Sequence, residues 1–136
     1  MSVTPPDIAQ IYLATVVTVE ACGVWRLAHE AASELGILHV ITAWNPGDER
    51  PSRAENERAN DELRADVARL GCAPMRALGS DPNSSHAEES FAVTEFNDRD
   101  ARELGAKYGQ VAVFRITTST QTVLGCFAEW SVAREV

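Results

Sequence analysis

The chain has 136 residues, 45% of them hydrophobic and 24% charged, which suits a single domain over 1–136 with a core of its own. A net charge of −8 argues against nucleic acid as a partner, because phosphate neutralisation needs clustered Lys and Arg. No apolar run approaches the roughly 18 residues of a membrane span, no basic-then-apolar leader opens the chain, and Cys22, Cys72 and Cys126 fall at no disulfide or zinc spacing. The expectation is a cytoplasmic chain with no membrane partner and no metal.

The first element is signalled by "TPPDIAQIYLAT". Thr4 can cap a helix and Pro5 suits its first position, while Ile8, Ile11, Tyr12 and Thr15 fall on one inward face. "TVVTVEA" is β-branched and predicts a strand ending near Gly23. A short strand or turn at "VWRL" and a helix ending near Gly36 follow. "ILHVITAW" is apolar at alternate and intervening positions alike, as a central strand covered on both faces would be.

The longest helix is predicted from Ser52 to about Leu70, with Ser52 and Glu55 in capping-box spacing and Gly71 as its stop. Leu63, Val67 and Leu70 mark its inward stripe. "APMRALG" reads as a strand, "SDPNSS" as a loop and "HAEESFAVTEF" as an alternating strand. A helix capped by Asn97 or Asp98 turns Ala101, Leu104 and Tyr108 inward and stops at Gly109. "QVAVFRITT" and "QTVLGCFAEW" form a hairpin, and the tail "SVAREV" carries no signal. Together these predict an α/β (α+β) sandwich with a mixed sheet of about five to six strands and three to four helices.

One irregularity singles out a site. Continuing the inward stripe of the long helix towards its start lands on Asn60 and Asn56 where aliphatic residues belong. A buried, unpaired amide costs about 1–3 kcal/mol, so these groups need partners or a cavity. Asn45 stands at the carboxyl end of the central strand, before Pro46 and Gly47, and ligands of α/β sheets settle beyond strand carboxyl ends near helix N-termini. Asn45, Asn56 and Asn60 therefore predict one mouth. The competing outcome is that the three amides bond loop backbone and hold a turn shut. On "HAEESF", His86, Glu88 and Ser90 share a strand face opposite Glu89, Phe91 and Val93, and Glu88 is the candidate acid–base group; a merely wet strand face would look the same. Gln110, before an apolar strand, is a further candidate, whereas His29 and His39 read as structural. No glycine-rich phosphate loop, serine-nucleophile elbow or zinc-protease motif occurs.

In that order, "ITAWNP", "ENERANDEL", "EESF" and "YGQVAVF" resemble the bacterial and phage domain of unknown function family 3293, from about Tyr12 to Phe114. The resemblance implies one small α/β domain and functional positions at Asn45, Glu55, Asn56, Glu88, Ser90 and Gln110. It brings no established activity to carry over and leaves the cofactor, like the question of catalysis, unknown. His86 departs from the aromatic residue, commonly tryptophan, that the family pattern leads one to expect before E-x-S. The favoured function is binding of a polar small molecule, with nucleotide-like ligands among the candidates, since amides both donate and accept. The alternative is a regulatory or inhibitory protein that engages a macromolecular protein partner through its acidic surface.

Overall fold

The computed structural model describes residues 4–136. Its elements in chain order are α1 (Ala9–Leu13), β1 (Val16–Ala21), β2 (Val24–Leu27), α2 (Ala28–Leu35), β3 (Leu38–Ile41) and α3 (Arg53–Arg69). There follow β4 (Met75–Ser80), β5 (Ala87–Val93), α4 (Asp98–Lys107), β6 (Ala112–Ile116), β7 (Thr120–Gly125) and β8 (Ser131–Glu135). The strands form one sheet in the order β2-β1-β4-β5-β3-β6-β7-β8.

The sheet corrects the expected count and direction: it has eight strands, and every adjacent pair is antiparallel. The alternation of strand and helix suggested a mixed sheet because helical crossovers join parallel strands. Here two such crossovers interleave. β3 and β4, joined by α3, lie on either side of β5, while β5 and β6, joined by α4, lie on either side of β3. Each crossover thus skips a strand, and the skipped strand runs the other way. The additional edge strand β8 comes from "SVARE", too polar on both faces to stand out in sequence, which pairs with β7 from Thr120↔Glu135 to Leu124↔Ser131.

Helices cover both faces. Ala28, Ala31 and Ala32 of α2 pack on Val17, Val19, Leu38 and Val40, and α1 lies on the same side, with Tyr12 against Phe114. On the other side Leu63 and Val67 of α3 join Ala101 and Leu104 of α4 over Ile41, Val93, Val113 and Leu124. β3 contributes to both cores, so all four of its residues are buried, as its doubly apolar sequence predicts.

Local signals place the elements. Cys22 and Gly23 have φ of 53° and 78°, the pair of left-handed residues that a two-residue hairpin between Ala21 and Val24 requires. α3 carries the full capping box: Glu55 N–H donates to Ser52 Oγ, and Ser52 N–H donates to Glu55 Oε1. Asn97 caps α4 by accepting from Asp100 N–H. Two expectations are revised. α1 begins only at Ala9, without a side-chain cap, and turns Ala9 and Tyr12 inward while Ile11 is 71% exposed. Leu70 is likewise exposed; the inward stripe of α3 includes Asp66, which accepts from Lys107 Nζ (2.6 Å) and Tyr108 Oη (2.5 Å) of the α4 end. Among the described residues no helix is long and apolar enough to cross a membrane.

Candidate functional site

The four segments singled out in sequence meet where β3 ends. Beyond Ile41 the chain leaves the sheet, and its exposed peptide groups need partners other than a neighbouring strand. Asn60 supplies them: its Oδ1 accepts from Ala43 N–H at 2.8 Å, and its Nδ2 donates to the Glu89 carbonyl at 2.9 Å. Thr42 Oγ1 donates to the same carbonyl and accepts from Trp44 N–H. One turn earlier on α3, Asn56 Oδ1 accepts from Asn45 N–H at 2.9 Å, and Asn56 Nδ2 donates to Asn45 Oδ1 at 2.8 Å. From the far side Gln110 Nε2 donates to the Trp44 carbonyl at 3.2 Å.

These bonds decide what each amide can do. Asn56 and Asn60 are 3% and 5% exposed, Gln110 is equally buried, and their hydrogen bonds go to the loop and, from Asn60 Nδ2, to the Glu89 carbonyl of β5. They fasten residues 43–45, and of the three only Asn60 also borders an open space, a small cleft on the α3 face. The reciprocal pair with Asn56 also holds Asn45 in the left-handed region, at φ 47°, where asparagine is among the few non-glycine residues tolerated. Gly109 contributes by its lack of a side chain, since a Cβ there would stand 3.0 Å from Pro46 Cβ. Glu55, implied by the resemblance, is engaged in the α3 capping box and lies exposed on that helix.

A cavity of about 670 Å³ does lie at this end of the sheet, but on the α1 side. Its floor is made by Val40, Ala112 and Phe114, with Tyr12 of α1 as a wall and the Asn45–Arg50 loop as one rim. Asn45, Glu88 and Ser90 line it; Asn56, Asn60 and Gln110 do not. The strand alternation of β5 explains the division, because Glu88 and Ser90 face this cavity while Glu89, Phe91 and Val93 face α3. Asn45 sits at the junction, taking support from Asn56 behind and donating from Nδ2 towards Glu88 Oε2 at 3.4 Å.

Glu88 is the chemical centre of the lining. His86 Nε2 lies 3.0 Å from its Oε2, so two neighbours share one oxygen. Tyr12 feels the same carboxylate: burial, and then the negative charge of Glu88, push its phenol above the ordinary value. Tyr12 therefore stays protonated and able to donate throughout the physiological range. Ser90 Oγ donates to the Glu88 carbonyl at 3.2 Å and retains an acceptor face. Tyr12, Asp48, Arg50 and Asp81, which also belong to the polar lining, were not legible as site residues. Tyr12 carried an inward-facing signal on its helix, but its meeting with Glu88 depends on α1 crossing the sheet far from β5 in sequence.

Among the described residues no group of three or more His, Cys, Asp or Glu side chains could hold a metal ion. A smaller cleft of about 280 Å³ lies on the opposite face, between Trp25, Arg76, Arg64 and Phe91. Among known proteins, the family model described as a protein of unknown function, DUF3293, matches residues 41–113. That stretch begins at the end of β3 and closes within β6, so it contains Asn45, Asn56, Asn60, Glu88, Ser90 and Gln110. No curated protein and no solved structure matches the chain.

Proposed function

The chain belongs to the DUF3293 family of proteins of unknown function, and from the cavity to which its matched segment contributes Asn45, Glu88 and Ser90 we propose that it binds a polar small molecule beside Asn45. The observation that carries this reading is the 670 Å³ cavity in which an amide, a carboxylate, an imidazole and a phenol converge over an apolar floor. Pockets of this size and mixture are where small ligands are bound in proteins generally. Asn45, Glu88, Ser90 and Tyr12 would contact the ligand. Asn56, Asn60 and Gln110 would act one step back, fixing the loop that carries Asn45; such support is what keeps a binding group in place.

Nucleosides fall within the class that such groups recognise, because base edges and sugar hydroxyls pair with amides, carboxylates and hydroxyls. If the site also performs chemistry, Glu88 with His86 is the pair suited to moving a proton, and Glu88→Gln would then abolish turnover in a folded protein. A macromolecular partner for the acidic surface is the weaker reading, since it calls for a surface without a cavity at Asn45. A thermal-shift panel of nucleosides, sugars, amines and cofactors tests the proposal. A compound that stabilises the wild type and fails to stabilise Asn45→Ala supports it, and silence across the panel argues for the macromolecular partner.

A further inference from the structure

The geometry points to a cationic amine, attached to an apolar or aromatic body, as the ligand class of this cavity; the inference rests on the binding reading above and narrows it. Three carboxylates, Asp48, Asp81 and Glu88, line the space against a single guanidinium, that of Arg50. Arg50 is moreover turned onto its own loop, where Nη1 donates to the carbonyls of Glu49 (2.8 Å) and Gly47 (3.4 Å). Lysine is absent from the lining. A phosphate or carboxylate ligand would thus meet an excess of like charge, with no cluster of cations to offset it.

The acceptor for a cation is already placed. Glu88 Oε2 takes both internal contacts, from His86 and Asn45, while Oε1 accepts no hydrogen bond among the described residues. The Glu88 side chain is 27% exposed, so an ammonium group against Oε1 would be partly shielded from water, which strengthens the attraction. The aromatic surfaces of Tyr12 and Phe114, whose centroids are 6.3 Å apart, line the same space. They can stack an apolar body and add cation–π attraction to its charged end.

Three probes that share one ring and differ chiefly in charge separate the possibilities: tryptamine, the neutral indole-3-ethanol and the anionic indole-3-acetate. Calorimetric titration of the wild type at pH 7 should show tryptamine binding at least about tenfold tighter than indole-3-acetate. In Glu88→Gln, with a thermal transition close to wild type, the preference for tryptamine over indole-3-acetate should vanish. Equal or tighter binding of indole-3-acetate to the wild type overturns the charge assignment, whatever the variant does. If indole-3-ethanol or a nucleoside binds in an Asn45-dependent way and tryptamine has no advantage, the amine inference falls and the cavity reading stands. If none of the three probes binds and the wider panel is silent, both fall.

Discussion

Asn60→Ala is the sharpest test of how the site is held. The substitution removes an acceptor 2.8 Å from Ala43 N–H and a donor 2.9 Å from the Glu89 carbonyl. The two losses are unequal. Glu89 keeps the Thr42 hydroxyl at 2.7 Å, so its carbonyl stays paired, whereas Ala43 is 1% exposed and its N–H has nowhere else to turn. One orphaned buried donor costs about 1–3 kcal/mol, so a loss near 2 kcal/mol is expected, or about 6–8 °C in Tm for a chain of this size. Urea denaturation should show a lower midpoint with an unchanged slope, the mark of altered stability without altered compactness. Asn60→Asp adds a second arm: it retains an acceptor for Ala43 but sets an oxygen against the Glu89 carbonyl, and should destabilise too. An Asn60→Ala protein within about 0.5 kcal/mol of wild type would refute the reasoning, because a surface substitution costs no more than that.

The α3–α4 latch predicts a pH dependence. Hydrogen bonds from Lys107 and then Tyr108, with a further one from Arg69, hold the Asp66 carboxyl down to about 2 from 3.8. A carboxyl lowered on folding stabilises fully above the unfolded value and ceases to do so as pH falls through the folded one. Asp66→Asn should therefore cost about 1–2 kcal/mol at pH 7, and the gap to wild type should close between pH 4 and pH 2 in acid-dependent thermal melts. Gly105→Ala should destabilise by about 1–3 kcal/mol despite the better helix propensity of alanine, since its Cβ would stand 2.6 Å from Cys126 Sγ and Val113 Cγ1; chemical denaturation measures this directly, and a stabilised variant would contradict the packing.

The two longer helices, α3 and α4, and the central strand were legible because their signals are local. Ser52, Glu55 and Gly71 bound α3, Asn97 and Gly109 bound α4, and the apolar run around Val40 marks a strand with two covered faces. The sheet was less legible. Register and neighbour are long-range facts, and nothing in "SVAREV" announces pairing with β7. The polar stripe at Asn56 and Asn60 correctly signalled that the helix start meets something other than aliphatic core. Which partner an amide takes, however, depends on where the backbone of residues 43–45 and Glu89 lies in space. Periodicity gave the face of α3 but not the face of the sheet, and the cavity is on the other one, reached through Asn45 and through the outward alternation of Glu88 and Ser90.

The most direct measurement is chemical-shift mapping of isotope-labelled protein titrated with whichever probe stabilises it. Perturbations are expected at Tyr12, Thr42, Asn45, Glu88 and Phe114, around the cavity on the α1 side. Shifts gathered instead around Trp25, Arg64 and Arg76, on the far face of the sheet, would contradict binding in that cavity.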